Sequence, residues 1–275
     1  MTFHSETRTR PQQFQQRGEI ACYHARPGLR IVGAFMACLA LLAVSPSALA
    51  DTHYVSKTGL HAPPCTCWAD ASSTIQGAID VTTDGDTVLV GLGTYTGLGN
   101  HDIDYGGRRI AVTAVNGAYS TTIDCQGGAA EPHRGFRFHT GEDGGSVLTG
   151  FQIRGGYAPF DVRDNRSFGG AIVCDSGASP TIAECLFVGN FAGDMGGAIA
   201  LVASSCALVR DCAFVDNHCH NIYSGPEGGL GGAIVCFDAA PLSVRSGISS
   251  RGDCRSPNRD GFGHPVQTSA HLSMI

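Results

Sequence analysis

The tetrapeptide Gly-Gly-Ala-Ile begins at Gly169, again at Gly196 and a third time at Gly231, and this recurrence constrains the fold more than any other feature of the chain. In each of the first two units a Phe-x-x-Asn follows at the same offset, as Phe187 to Asn190 and Phe214 to Asn217. Self-similarity at a period of a few tens of residues marks a repeat architecture, in which a unit buries its apolar side only by stacking on the next. Each unit holds short β-branched or aromatic runs separated by Gly, Asn, Asp and Pro, with no helical periodicity. It therefore reads as one coil of an all-β, parallel β-helix, a solenoid.

Aligned units keep their character: Ile172 with Ile199 and Ile234, Ile182 with Val209, Cys185 with Cys212, Phe187 with Phe214. In a coil stack these form inward ladders spaced by about 4.8 Å. Gly pairs suit tight corners, and Asn190 and Asn217 suit turns whose amides bond along the stack.

Three segments follow. Residues 1–50 read as a signal peptide with a long n-region: an apolar run over 31–44 follows Arg26 and Arg30 and precedes the A-x-A site Ala48-Leu49-Ala50. Cleavage after Ala50 is expected, and with it secretion to an extracellular or cell-surface location. No later segment is long enough for a transmembrane anchor. Residues 51–244 form the β-helix domain. In residues 245–275, rich in Arg, Ser and Pro, the pattern fails, and either an irregular or disordered tail or a truncated or frame-shifted solenoid is expected. Arg251-Gly252-Asp253 in that tail reads as a chance match to an adhesion tripeptide.

The whole chain has a net charge of −6, and removal of five Arg and two acids with residues 1–50 leaves −9, with Lys57 the single lysine. A basic patch for nucleic acid is missing, so nucleic-acid partners are excluded. Ten cysteines remain. Cys174, Cys185, Cys212 and Cys236 occupy repeat-equivalent positions and read as small buried hydrophobes. Cys65, Cys67, Cys206, Cys219 and Cys254 fall in irregular sequence and are the disulfide candidates.

Near the start of the domain a strand over 53–56 leads into a Pro and Cys loop. Ser72 or Ser73 then caps a short helix with Ile75, Ala78 and Ile79 on its apolar side, placed to shield the open end of the stack. Tyr54-Val55-Ser56, Gly85-Asp86-Thr87-Val88, Gly93-Thr94-Tyr95 and Ile103-Asp104-Tyr105-Gly106-Gly107 resemble the opening of secreted right-handed parallel β-helix proteins of the pectin-lyase-like superfamily. The GGAI and Phe-x-x-Asn units are similar to the repeats of chlamydial polymorphic outer membrane proteins. The resemblance implies the right-handed β-helix and says little of chemistry.

The loop between Phe-x-x-Asn and the next GGAI varies in length. The spans from Phe151 to Gly169 and from Phe214 to Gly231 are nearly equal, and the span from Phe187 to Gly196 is only about half as long. Two long loops beside a short one make a notch over the middle coil. One wall would carry Tyr157, Phe160, Asp161, Arg163, Asp164 and Arg166; the other His218, His220, Tyr223 and Glu227; Asp194 would form the floor. Rings, carboxylates and Arg around a groove suit a polysaccharide or cell-surface glycan, and the acids would admit Ca²⁺, though no cofactor is required. Ordinary solvated loops give the same pattern. Glu184 and Asp211, at equivalent positions, read either as stacked carboxylates or as a solvated turn beside Arg210. No pectate lyase, polygalacturonase or pectin methylesterase motif is found, nor a nucleophile elbow or phosphate loop. The sequence thus points to a non-catalytic binding or adhesion scaffold. The alternative is a polysaccharide lyase or hydrolase with Asp161, Asp164 or Asp194 as acids and Arg163 or Arg166 as base.

Overall fold

The computed structural model describes residues 49–161, 166–220, 231–237, 243–245, 249–251 and 254–255. The expected signal peptide lies outside them, apart from Leu49 and Ala50 at its end. No helix among the described residues is long and apolar enough to cross a membrane.

The described chain is nearly all β, and its sheets are parallel. A first sheet takes Thr52–Val55, Thr87–Val90, Ala111–Ala114, Val147–Thr149, Thr181–Ala183, Leu208–Arg210 and Ser243–Arg245, in that order. A second takes Gly93–Tyr95, Thr121–Asp124, Gln152–Arg154, Leu186–Val188, Ala213–Val215 and Ser249–Arg251. A third takes Ile103–Asp104, Phe136–Phe138, Ile172–Cys174, Ile199–Val202 and Ile234–Phe237. The chain visits the three in turn and returns to the first one strand further along. Each sheet therefore grows in sequence order, and residues from successive circuits lie side by side.

The register explains the repeat. Ile103, Phe136, Ile172, Ile199 and Ile234 pair in one ladder, and Val88, Val112, Leu148, Ile182 and Val209 in another. Tyr95, Ile123, Ile153, Phe187 and Phe214 make the third. These side chains are buried together in one core, apart from Ile234, which is partly exposed at its edge. Phe187 and Phe214 stack with ring centroids 4.9 Å apart and planes 10° from parallel, a separation set by the strand spacing.

The GGAI corner has two causes. Gly169, Gly196 and Gly231 hold φ of 62°, 67° and 69°, a left-handed conformation that a side chain disfavours. The second glycine is needed for close approach: a Cβ on Gly170 would press on the Gly197 carbonyl, and one on Gly197 on the Gly232 carbonyl. Asn190 and Asn217, both fully buried, satisfy backbone groups at the opposite end of the same loop. Asn190 Nδ2 donates to Ile153 O (3.1 Å) and Asn217 Oδ1 (2.8 Å), its Oδ1 accepts from Gly156 N–H (2.9 Å), and Asn217 Nδ2 donates to Phe187 O (3.0 Å). The amides bond along the stack, as the Phe-x-x-Asn recurrence predicts.

Several expectations need correction. Ile153, not Phe151, pairs with Phe187; Phe151 instead occupies the corner position of Cys185, whose neighbour Leu186 donates to Phe151 O. The first loop is thus counted from Ile153 and is slightly shorter than the sequence alone suggests, though it still exceeds the loop that follows Phe187. The helix, Ile75–Ile79, is capped by Thr74, whose Oγ1 accepts from Gly77 N–H, while Ser72 Oγ braces Thr74 N–H and C=O. Ile75, Ala78 and Ile79 are buried as expected.

Cys174, Cys185 and Cys212 are buried, but Cys236 is exposed, because it lies on the edge strand of the third sheet. Cys65 and Cys67, disulfide candidates from the sequence, are free thiols, and Cys219 is buried in a strand. Strands continue past Val244: Ser249–Arg251 and Cys254–Arg255 pair with Ala213–Val215 and His218–His220. Edge-strand N–H and C=O groups recruit the next segment whatever side chains it carries, so an apolar pattern is not required. Residues 256–275 lie outside the described residues.

Candidate functional site

A short fourth sheet, Phe191–Ala192, His218–His220 and Cys254–Arg255, lies in sequence between the second and third. Period-two alternation buries Cys219 and leaves His218 exposed and His220 half-buried. Tyr157 joins this column by a parallel bridge to Phe191, and Phe191 pairs with His218. The rings follow the backbone for Tyr157 and Phe191, whereas the ring next to Phe191 on the other strand is His220, two residues beyond its backbone partner His218. Tyr157 and Phe191 stack at 4.7 Å with planes 27° apart, and the His220 ring lies 6.0 Å beyond Phe191. Three half-buried rings on consecutive circuits therefore form one platform along this edge.

The first predicted wall begins as a hairpin, Phe160–Asp161 antiparallel to Arg166–Ser167. Phe160 is exposed and Asp161 half-buried, and Asp161 contributes to the field at Arg134. Arg166 Nη1 reaches Met195 Sδ at 3.5 Å. Arg163 and Asp164 lie outside the described residues, as do Tyr223 and Glu227 of the second wall. Asp194 is not an open floor: it is fully buried, and its Oδ2 accepts from Ser167 N–H at 2.8 Å. Ser167 Oγ in turn donates to Ala158 O and accepts from Gly193 N–H. This clasp ties the hairpin base to the short loop of the next circuit, which is why an acid stands there.

Glu184 and Asp211 occupy equivalent corners at φ of 52° and 54°, where the preceding circuit has Gly150 at 81°. Both are exposed, and Arg210 Nη1 lies 3.8 Å from Glu184 and 3.3 Å from Asp211. The solvated-turn reading holds.

The sequence missed one cluster. Among the described residues, His101, Asp102 and His133 bring three metal-capable atoms within 4.8 Å of one another. They sit in the corners before Ile103–Asp104 and Phe136–Phe138, and His133 O accepts from Tyr157 N–H at 2.7 Å, so the cluster adjoins the aromatic column. His101 Nδ1 and His133 Nδ1 approach Asp102 Oδ2 at 2.9 and 2.7 Å, with the imidazoles 3.9 Å apart. Burial alone would raise the Asp102 pKa, but hydrogen bonds from Arg134 N–H, His133 and His101 outweigh it and leave it below the usual value. Burial, then the charge of Arg137, lowers the Arg134 guanidinium to about 10. These corners lack the GGAI motif, and a full circuit of chain separates Asp102 from His133; no local signal joins them.

No protein-family model matches the chain, and no curated protein shows significant sequence similarity to it.

Proposed function

We propose that the chain is an exported right-handed parallel β-helix of the pectin-lyase-like kind, with repeats like those of chlamydial polymorphic outer membrane proteins. Its role is a non-catalytic scaffold that binds polysaccharide or cell-surface glycan. The cyclic order of the three parallel sheets supports the solenoid, and the helix Ile75–Ile79 serves as its cap. The observation that carries the binding role is the Tyr157, Phe191 and His220 column. Sugar rings stack their apolar faces on aromatic rings while polar groups at the rim take their hydroxyls; exposed His218, the backbone partner of Phe191, offers one such group, and Asp161 and Arg166 lie on the hairpin that follows Tyr157. Three rings in a row, with centroids 4.7 and 6.0 Å apart, favour a chain ligand over a single small molecule.

The enzyme alternative has less support. One of its three candidate acids, Asp194, is buried and already holds Ser167 N–H. Affinity electrophoresis of the full chain through gels containing neutral and acidic polysaccharides tests the reading. Retardation by at least one polysaccharide is expected, and Tyr157→Ala or Phe191→Ala should weaken it about tenfold, since base–aromatic stacking of comparable area is worth about 1–3 kcal/mol. Retardation unchanged in both variants would remove the column from the account.

A further inference from the structure

We propose that His101, Asp102 and His133 form a binding site for a divalent transition metal, with Zn²⁺ as its simplest occupant, a role separate from the glycan reading. Two imidazole nitrogens and one carboxylate oxygen are the donor set that zinc and its first-row neighbours take, whereas Ca²⁺ and Mg²⁺ prefer all-oxygen shells. The donors already converge, since both Nδ1 atoms point at the same oxygen, Asp102 Oδ2. In a tetrahedral site with arms of about 2.0–2.1 Å, donors stand about 3.3 Å apart. The 2.7 and 2.9 Å separations from Asp102 Oδ2 therefore need to open by about half an ångström, in a cluster whose three donor atoms lie within 4.8 Å of one another.

The surroundings hold the donors in place. Asp102 Oδ1, the oxygen not shared with the histidines, accepts from Arg134 N–H at 2.9 Å, and Asp102 N–H donates to Arg134 O at 2.6 Å. This double brace joins the corners of two consecutive circuits and fixes the carboxylate as an outer-shell partner does in metal sites. Asp102 sits there at a φ of 51°, which Asp tolerates better than most residues. His101 is 10% exposed at its side chain, His133 30% and Asp102 43%, so the cluster is enclosed on its His101 side and open to solvent on its Asp102 side. That leaves a fourth position for water or a ligand atom. Two imidazoles share one carboxylate oxygen at a 3.9 Å ring separation, and a cation would take the place of both Nδ1 protons there. The nearby Arg134 charge opposes the metal, and Asp161 and Asp175, which also act on Arg134, offset it.

The test is calorimetric titration of chelator-treated full chain with Zn²⁺ alone, beside visible spectra with Co²⁺. Expected are one Zn²⁺ per chain and Co²⁺ bands of tetrahedral intensity. His101→Gln and His133→Gln keep an N–H for Asp102 but lose the ring ligand, and each should weaken Zn²⁺ at least about tenfold. His220→Gln should leave it unchanged. Should a variant fail to fold, ring-selective NMR of wild type decides, because Zn²⁺ must shift the His101 and His133 signals before those of the other histidines. Absence of Zn²⁺ binding at micromolar concentration, equal affinity in the folded Gln variants, or shifts confined to other histidines would overturn the site and leave a hydrogen-bonded corner.

Discussion

Single residues decide whether successive circuits can close on one another. Gly170 and Gly197 stand where the backbone of the next circuit leaves no room for a methyl group; a Cβ on Gly197 would meet the carbonyl oxygens of Gly232 and His218. Backbone cannot retreat as a flexible side chain can, so Gly197→Ala should cost about 1–3 kcal/mol. Chemical denaturation should show a lower midpoint with little change in slope. Asn190 is the complementary case, demanding a side chain that both donates and accepts. Asn190→Ala leaves Ile153 O and Gly156 N–H without the amide that serves them, a loss of about 2–3 kcal/mol. Asn190→Asp should not rescue it, because a carboxylate has no proton for Ile153 O or Asn217 Oδ1. Equal stability of the Asp variant at neutral pH would contradict this. Both roles were legible in the sequence, since a motif that recurs at equivalent positions exposes its own constraint. The role of Asp194 was not, because Ser167 reaches it across the circuit boundary and nothing in the local sequence joins them.

At the scale of the turns that join strands, buried carboxylates hold the N-terminal circuits. Asp86 is 3% exposed and accepts from Thr83 N–H, Asp51 N–H and His53. Glu142, 1% exposed, accepts from Thr140 and from Gly107 N–H at the neighbouring circuit's corner. In each, burial pushes the pKa up, but the hydrogen bonds push it further down, so the net value lies below the ordinary one. A group depressed on folding stabilises the fold above its unfolded pKa, about 3.9 for Asp and 4.3 for Glu, and loses that contribution as pH falls through the folded value. Stability should therefore hold from neutral pH to about 5 and decline below about 4. Urea midpoints across this range should be flatter for Glu142→Gln than for wild type, and parallel curves would contradict the assignment. Strand positions were readable from alternation, as with Thr87–Val90. The helix cap was displaced by one or two positions because Ser72, Ser73 and Thr74 are all competent caps, and tertiary contacts chose among them. The strands beyond Val244 were not legible, since ladder bonds carry no side-chain signature.

For the whole molecule, the repeat revealed the parallel all-β architecture and the edge on which the rings gather, but not which rings face one another. Tyr157 and His220 were named from loop composition. Phe191 was missed because it follows the Phe-x-x-Asn motif immediately and reads as part of it, although the column is centred on it. His101 and His133 were missed for the opposite reason, since they belong to circuits where the motif is lost. The central claim is that this edge holds a glycan chain without cleaving it. The most direct measurement incubates purified full chain with neutral and acidic polysaccharides, with and without Ca²⁺, and reads retention on the polysaccharide together with reducing ends and unsaturated products. The account predicts retention that depends on Tyr157 and Phe191 and no product above the blank. Product release that is lost on changing Asp161 or Arg166 would contradict it and make the molecule an enzyme.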